Sequence, residues 1–463
     1  MNRSRAFPRL LTGLSGSYGQ SGARMPLTPA GLVERVDPRA SGPRRGRHTA
    51  LVETAMKISL PQRLWYDNGT LEIQFPDTWQ IEFCPMRGAA RPAMSRAQME
   101  QAIETPIGTP RLRDLARGKK RAVIIFDDMT RPTRTYEIAP ILLRELLSGG
   151  LQEEDITFVC ALGTHGALTM NEFRKKLGPE IVERFRVFNH NIYENCVEVG
   201  TTSRGTRLLV NREVMEADLK VAVGCVTAHA QVGFSGGGKI VLPGVSHIDS
   251  IAHYHIQVEA MAKETTGLGN FDRNILRFEI EEAARMTGID FLVNVTVNSR
   301  GETSALFAGE LFQVHERAVR LAKELYATSP RPRDADAVVA NAFVKANEMG
   351  IAVLLGVLAL KDFTGTVVVI ADSPEGQVIH YLLGRFGRSY GGRQYPVAAI
   401  PPSVRLVVMA PHKDKNSGDW FANPEVITWT RTWPETLKLL ESTLRPGARV
   451  AVVPNATMQY YDS

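Results

Sequence analysis

The chain has 463 residues, of which 44% are apolar and 22% charged, the balance of a globular protein long enough for two or three domains. No run of about 18 uncharged apolar residues occurs, so no membrane-spanning helix is expected. The net charge of +6 is not a property of the body, because residues 1–48 carry nine arginines against only Glu34 and Asp37; this removes the argument for a nucleic-acid partner.

In chain order, residues 1–57 are rich in Ser, Gly, Pro and Arg and poor in periodic apolar positions, so they are expected to be a disordered basic tail or an over-extended start. Their Arg-rich beginning has the composition of a transit peptide, but no secretory apolar core follows. The alternation in TLEIQFPDTWQIEF, residues 70–83, predicts a hairpin or two edge strands. From about residue 120 short apolar runs alternate with helical stretches. RAVIIFD (121–127) precedes a loop and a helix that Gly149-Gly150 stops. DITFVCAL (155–162) precedes GTHG and a further helix, and LKVAVGCV (219–226) precedes a long polar loop.

The Pro- and Arg-rich SPRPRDAD, residues 329–336, reads as a linker. Beyond it ADAVVAN, TVVVIAD, VRLVVMAP and ARVAVVP alternate with helical segments such as GIAVLLGVLALKDF and PETLKLLEST. Alternation of this kind predicts parallel sheets. The expected fold class is α/β, with one α/β domain over 58–328 and a second over 329–463. Cys84, Cys160, Cys196 and Cys225 form no C-x-x-C pair, which argues for a reducing cytoplasm and against a zinc knuckle.

Ligands of open α/β sheets bind beyond the carboxyl ends of the strands. Three polar loops, the last two glycine-bearing, are placed there by the strand assignments: DDMTRPT (Asp127–Thr133), GTHG (Gly163–Gly166), and the stretch from His229 to Lys239. Taken singly, Asp127-Asp128 could be a strand-end turn binding its own backbone, and His165 or His229 an ordinary turn or buried imidazole. GFSGGGKI (233–240) fits G-x-x-x-x-G-K but has Ile240 where a P-loop needs Ser or Thr for Mg²⁺. Pro243-Gly244 would also stop the helix whose N-terminus should meet the phosphate. Lys239 beside three glycines nonetheless points to a ligand contact. The following VSHIDSIAHYHIQVEAMA (245–262) reads as a helix with His247, His253 and His255. At 100° per residue, His247 and His255 lie about 80° apart and His253 and His255 about 200° apart. One metal could take only one of them, with partners from elsewhere.

These pieces, D-x-T-R-P at Asp128–Pro132, G-T-H at Gly163–His165, H-x₉-K from His229 to Lys239, and His255 sixteen residues further on, resemble the nickel-pincer-dependent lactate racemase family from about residue 60 onwards. The resemblance implies two α/β domains with the active site in the cleft between them. It implies a nickel-pincer nucleotide, a pyridinium-3-thioamide-5-thiocarboxylate mononucleotide, tethered to Lys239, with Ni(II) held by the pincer and His255. Asp128 and Thr130, with Ser235 and Gly237 of the glycine loop, would help hold this cofactor. His165 and His229 would be the acid/base pair for a 2-hydroxy acid, and Arg131 the clamp on its carboxylate.

Partners would be the small-molecule substrate and the proteins that make the cofactor, with no nucleic acid or membrane; a homo-oligomer is compatible with this. One departure concerns the start of the second domain, where the family has Gln-x-x-Lys and this chain has Lys345-Ala346-Asn347-Glu348. With Lys345 and Glu348 at the substrate, lactate gives way to a larger polar hydroxy acid as a candidate. A nucleotide-binding ligase or ATPase using GFSGGGK, or a non-catalytic ligand-binding relative, are the competing readings.

Overall fold

The computed structural model describes residues 56–382, 387 and 399–462. The expected basic tail lies outside these residues up to position 55, while Met56 and Lys57, assigned to it from composition, open the first strand. Eighteen strands are described: β1 Met56–Pro61, β2 Thr70–Phe75, β3 Gln80–Phe83, β4 Ala122–Asp127, β5 Ile156–Ala161, β6 Arg186–Asn189, β7 Cys196–Thr201, β8 Arg207–Asn211, β9 Leu219–Cys225, β10 Ala228–His229, β11 Gly233–Phe234, β12 Phe291–Val297, β13 Thr303–Gly309, β14 Ala337–Asn341, β15 Gly365–Ile370, β16 Val404–Met409, β17 Thr428–Thr430 and β18 Arg449–Val453. Most connections between the strands of the two large sheets are helical, and no described helix is long and apolar enough to cross a membrane.

The first large sheet has the order β13-β12-β9-β4-β5-β6, parallel except for the antiparallel edge strand β13. Its central strands are buried on both faces, which is why AVIIFD and LKVAVGC read as continuous apolar runs. From β4 the chain moves outward to β5 and β6, then returns to place β9 on the other side of β4. The carboxyl ends of β4 and β9 therefore flank the point where strand order reverses, the place where such sheets bind ligands.

The second sheet, β17-β16-β15-β14-β18-β3, is wholly parallel and reverses between β14 and β18. Its edge strand β3 corrects the expected boundary at residue 58. β3 pairs with β18, and the β1–β2 hairpin packs Ile58, Leu60, Ile73 and Phe75 against Val339, Val368, Ile370 and Trp433. The second domain is thus built from two stretches of chain, the first strands and the C-terminal third. Alternation shows that residues 70–83 are strands, but it does not show which strand, about 370 residues away, completes the pairing.

The two halves are pinned together beside the first sheet's carboxyl edge. Tyr381 N donates to Thr164 O at 2.7 Å, and Gly166 N to Ile379 O at 3.4 Å. A second set of bonds joins the loop after β14 to the same segment, with Val378 N donating to Asn347 O at 3.1 Å and Gln377 Nε2 to Ala346 O at 2.8 Å.

Candidate functional site

The loop after β4 is folded by its own side chains. Asp128 Oδ1 accepts from Thr130 N at 2.9 Å and from Thr130 Oγ1, an Asx-type turn. Asp127 Oδ2 accepts from Cys225 N at 3.0 Å and from Thr133 Oγ1, which ties the end of β4 to the end of β9. Lys176, fully buried, reaches in from the helix Met170–Leu177 to bond Asp127 Oδ1 at 2.7 Å and the carbonyls of Asp128 and Arg131 at 2.8 and 3.1 Å. Helical propensity alone gives Lys176 no distinction from its neighbours in EFRKKL, so the sequence does not reveal this role.

Asp128 has a second task. Its Oδ2 lies 3.0 Å from Nδ1 of His165, so the carboxylate orients the imidazole instead of facing the cleft alone. Burial pushes the Asp128 pKa up, but the hydrogen bond from His165 and the charges of His165 and Arg131 more than offset it, and the group stays below the usual carboxylate range. His165 is itself lowered, by burial first, with Arg131 and Lys239 adding to the effect and Asp128 opposing it. With Nδ1–H directed at Asp128, the neutral ring presents Nε2 as its basic nitrogen.

His229 is oppositely disposed. It sits on the small β10–β11 hairpin, and its Nδ1 accepts from Gln231 N at 3.2 Å, which puts the proton of the neutral ring on Nε2. Burial, then Lys239, Lys345 and Arg131, drive its pKa well below the ordinary value. The two buried histidines are therefore held as complementary tautomers.

The glycine loop leads into a single 3₁₀ turn, Gly237–Ile240, and the next α-helix begins only at Ile248, so the P-loop reading loses the helix N-terminus it requires. Sequence reasoning took the glycines as clearance for a ligand; the structure gives them internal reasons. Gly236 and Gly237 have φ of +82° and +58°, and a Cβ on Gly238 would meet Cβ of Ala284 at 2.8 Å. Asn294 Oδ1 accepts from Gly237 N at 3.0 Å, and Arg277, buried on the helix Ile275–Thr287, donates to the carbonyls of Phe234 and Gly236. The Ser235 hydroxyl donates to Cys225 O and accepts from Thr227 N, both at 2.9 Å. Its hydroxyl is thus engaged in holding the loop.

Of the three histidines in the next segment, the structure brings one to the cleft. His247 caps the helix Ile248–His253 through Nδ1, and His253 Nδ1 bonds Thr206 Oγ1 at 2.9 Å. His255 lies in a π-helical turn, Tyr254–Val258, an irregularity common at functional sites. Its Nδ1–H donates to Ile251 O at 2.9 Å, and burial together with Lys239 holds its pKa down to about 3.

Asp128, Thr130, Arg131, His165, Ser235, Gly237, Lys239 and His255 line one cleft of about 630 Å³ including its open mouth, between the ends of β4, β5 and β9. Arg131 is buried and bonds Thr130, and among the described residues it makes no ion pair. Burial, then Arg131, Arg277 and Lys345, bring the Lys239 amine well below its ordinary pKa, with Glu348 opposing. Lys345 and Glu348 are buried on the Phe343–Glu348 turn after β14. They do not line that cleft directly, and they act on it through their charges on Arg131, Lys239 and His229. Sequence reasoning also missed His380, whose Nε2 lies 2.7 Å from Thr164 Oγ1 and whose ring stands 5.1 Å from that of His165.

The reversal point of this doubly wound sheet thus gathers buried cationic side chains and imidazoles at the place where open α/β sheets bind ligands. Residues 66–267 match the lactate racemase N-terminal domain. Lactate racemases from Thermoanaerobacterium thermosaccharolyticum and Lactiplantibacillus plantarum are each 33% identical to this chain, over 238 and 229 residues; these cover 51% and 49% of the chain and 55% and 54% of the relatives. The alignments thus span about half the length of those relatives. The structure of the lactate racemase apoprotein from the former organism superposes with a TM-score of 0.69 at 23% identity, covering 88% of this chain and 100% of that one. A crystal structure of a Thermotoga maritima protein gives 0.59 at 19% identity, covering 80% and 98%. Residues 66–267 are thus similar to a lactate racemase N-terminal domain, and over most of its length the chain shares the fold of the racemase apoprotein.

Proposed function

We propose that the protein is an isomerase that inverts C2 of a 2-hydroxy acid, using a nickel-pincer nucleotide anchored on Lys239. The observation that carries this reading is the meeting of an Asp128-held His165, Arg131, Lys239 and His255 around one cleft.

The residues present fit such a group. His255 donates through Nδ1 to a backbone carbonyl and keeps Nε2 basic, the arrangement of a metal-bound histidine. Among the described residues no cluster of three or more His, Cys, Asp or Glu could hold a metal, so a metal on His255 would draw its other donors from the bound group. A Lys239 amine that sheds its proton readily is a competent nucleophile for a covalent tether. When bound, the group supplies an acceptor for the C2 hydride.

The chain's own residues do the rest. Arg131 binds the substrate carboxylate through its planar fork. His165 takes the hydroxyl proton at Nε2, and Asp128 stabilises the imidazolium that results. His229 holds the substrate oxygen through Nε2–H from its separate loop, and the His165 imidazolium returns its proton to the oxygen of the inverted product.

The test is a screen of 2-hydroxy acids for inversion by protein co-expressed with the cofactor-making proteins. His165→Ala and His229→Ala should each lower turnover by about 10²-fold or more with metal content retained. His255→Ala should lose the metal. Release of metal by all three variants alike would contradict the assignment of roles.

A further inference from the structure

Thr164, between Gly163 and His165 in the loop after β5, is fixed from both domains. Its carbonyl accepts from Tyr381 N at 2.7 Å, and Gly163 N before it donates to Gly244 O at 2.8 Å. The side chain is buried, lines the cleft beside His165, and lies 2.7 Å from Nε2 of His380 in the second domain. His380 is buried as well, with its ring in T-shaped contact with His165 at 5.1 Å and with Trp420 at 5.6 Å. The imidazole is therefore held on two sides, and its edge is aimed at the Thr164 hydroxyl.

The backbone sets the polarity of this contact. Leu382 N donates to His380 Nδ1 at 3.0 Å, so Nδ1 offers its lone pair and the neutral ring carries its proton on Nε2. His380 Nε2–H then donates to Thr164 Oγ1, and the hydroxyl keeps its own hydrogen to give. Among the described residues that hydroxyl makes no second hydrogen bond. Asp128, which lines the same cleft, already spends Oδ1 on Thr130 and Oδ2 on His165. A buried hydroxyl hydrogen without an acceptor is costly to keep, and a ligand in the cleft supplies one. Arg131 lines that cleft too, so the ligand is an anion and its oxygens are the acceptors.

Resting on the reading proposed above, we infer that Thr164 binds the anion in the cleft, its hydroxyl being turned by His380 to donate to a carboxylate or phosphate oxygen. The carboxylate would belong to the hydroxy acid and the phosphate to the bound nucleotide. His380 is a positioning residue, since it reaches the ligand through Thr164. Because it comes from the second domain, the donor is aimed when the two domains are together, which ties ligand binding in the first domain to the placing of the second.

The experiment has two parts. Nitrogen-15 NMR of the full chain, with His380→Leu to assign the ring, should show His380 protonated at Nε2. A proton on Nδ1 instead would overturn the inference, because Thr164 would then donate to His380 and have no hydrogen left for a ligand. Ligand-observed NMR titration of the full chain with lactate and with nicotinate mononucleotide then compares the wild type with Thr164→Val and Thr164→Ser. Losing a donor to a charged oxygen should weaken binding by about 10- to 100-fold in Thr164→Val, and Thr164→Ser, which keeps the hydroxyl, should stay within about threefold of the wild type. A loss confined to lactate identifies the carboxylate as the acceptor, and one confined to the mononucleotide identifies the phosphate. Unchanged affinity for both ligands in Thr164→Val, equal losses in Thr164→Val and Thr164→Ser, or binding of neither ligand by the wild type would overturn the inference. Thr164-dependent binding without inversion at C2 by the metal-loaded protein would sustain it and refute the isomerase reading. Inversion by metal-loaded Thr164→Val with the wild-type kcat and KM would do the reverse.

Discussion

Replacing Asp128 by Asn alters the site by one atom and tests the His165 base directly. Asp128 Oδ1 accepts from both Thr130 N and Thr130 Oγ1, so an asparagine must keep its oxygen there. Its NH₂ then occupies the position of Oδ2, 3.0 Å from His165 Nδ1. A donor facing Nδ1 requires the lone pair there and moves the ring proton to Nε2, so the nitrogen assigned as base already carries a proton. Loss of general-base catalysis is worth about 10²- to 10⁴-fold, which corresponds to roughly 3 to 5 kcal/mol of barrier at 1.36 kcal/mol per decade. The loss should fall on kcat, with KM changed less, since the substitution leaves the proposed carboxylate clamp Arg131 in place. Nitrogen-15 shifts of the His165 ring give a readout independent of turnover and should show Nε2 changing from a bare to a protonated nitrogen. Turnover within about threefold of wild type, or an unchanged tautomer, would refute the reasoning.

Three further outcomes are expected. Peptide mass spectrometry of active, metal-loaded protein should find an adduct on the peptide containing Lys239, and Lys239→Ala should abolish it; active protein with only unmodified Lys239 would contradict the tether. Gly238→Ala should destabilise the fold by about 1 to 3 kcal/mol, read from urea unfolding, because its Cβ would press on Ala284 at 2.8 Å and on the Ile280 side chain at 2.9 Å. Stability should also fall as pH drops from about 6.5 towards 4, because His190, bonded to Ser246 O and Asn211 Nδ2, has its pKa lowered to about 4 by burial. It stays neutral when folded but takes up a proton when unfolded, so the penalty grows through that window to on the order of 3 kcal/mol. His190→Gln should flatten this part of the pH profile, and an unchanged slope would exclude His190 as its source.

The strands β4, β5 and β9 were legible because a strand buried on both faces must be apolar throughout, and so were the loops that follow them, because polar and glycine residues interrupt those runs abruptly. Asp128, Arg131, His165, Lys239 and His255 could be picked out as chemistry-bearing groups at strand ends or at a matched interval. Their mutual bonds could not. The Asp128–His165 contact joins loops 37 positions apart, and no periodicity encodes it. The pairing of β3 with β18, the burial of Lys176 and Arg277 beneath two site loops, and the placing of His380 beside His165 depend on tertiary packing in the same way. The glycine loop shows the opposite difficulty. Its composition was visible, but positive φ and close helix packing account for glycines that local pattern alone attributed to ligand access.

The central claim is that C2 is inverted by hydride transfer, with the histidines handling only the hydroxyl proton. It is tested most directly by running the inversion in D₂O with metal-loaded protein and measuring deuterium at C2 of the product. Hydride that leaves and returns within the cleft predicts inverted product carrying its original C2 hydrogen. Deuterium at C2 in step with inversion would mean that His165 and His229 exchange the C2 proton with solvent, and would contradict the account.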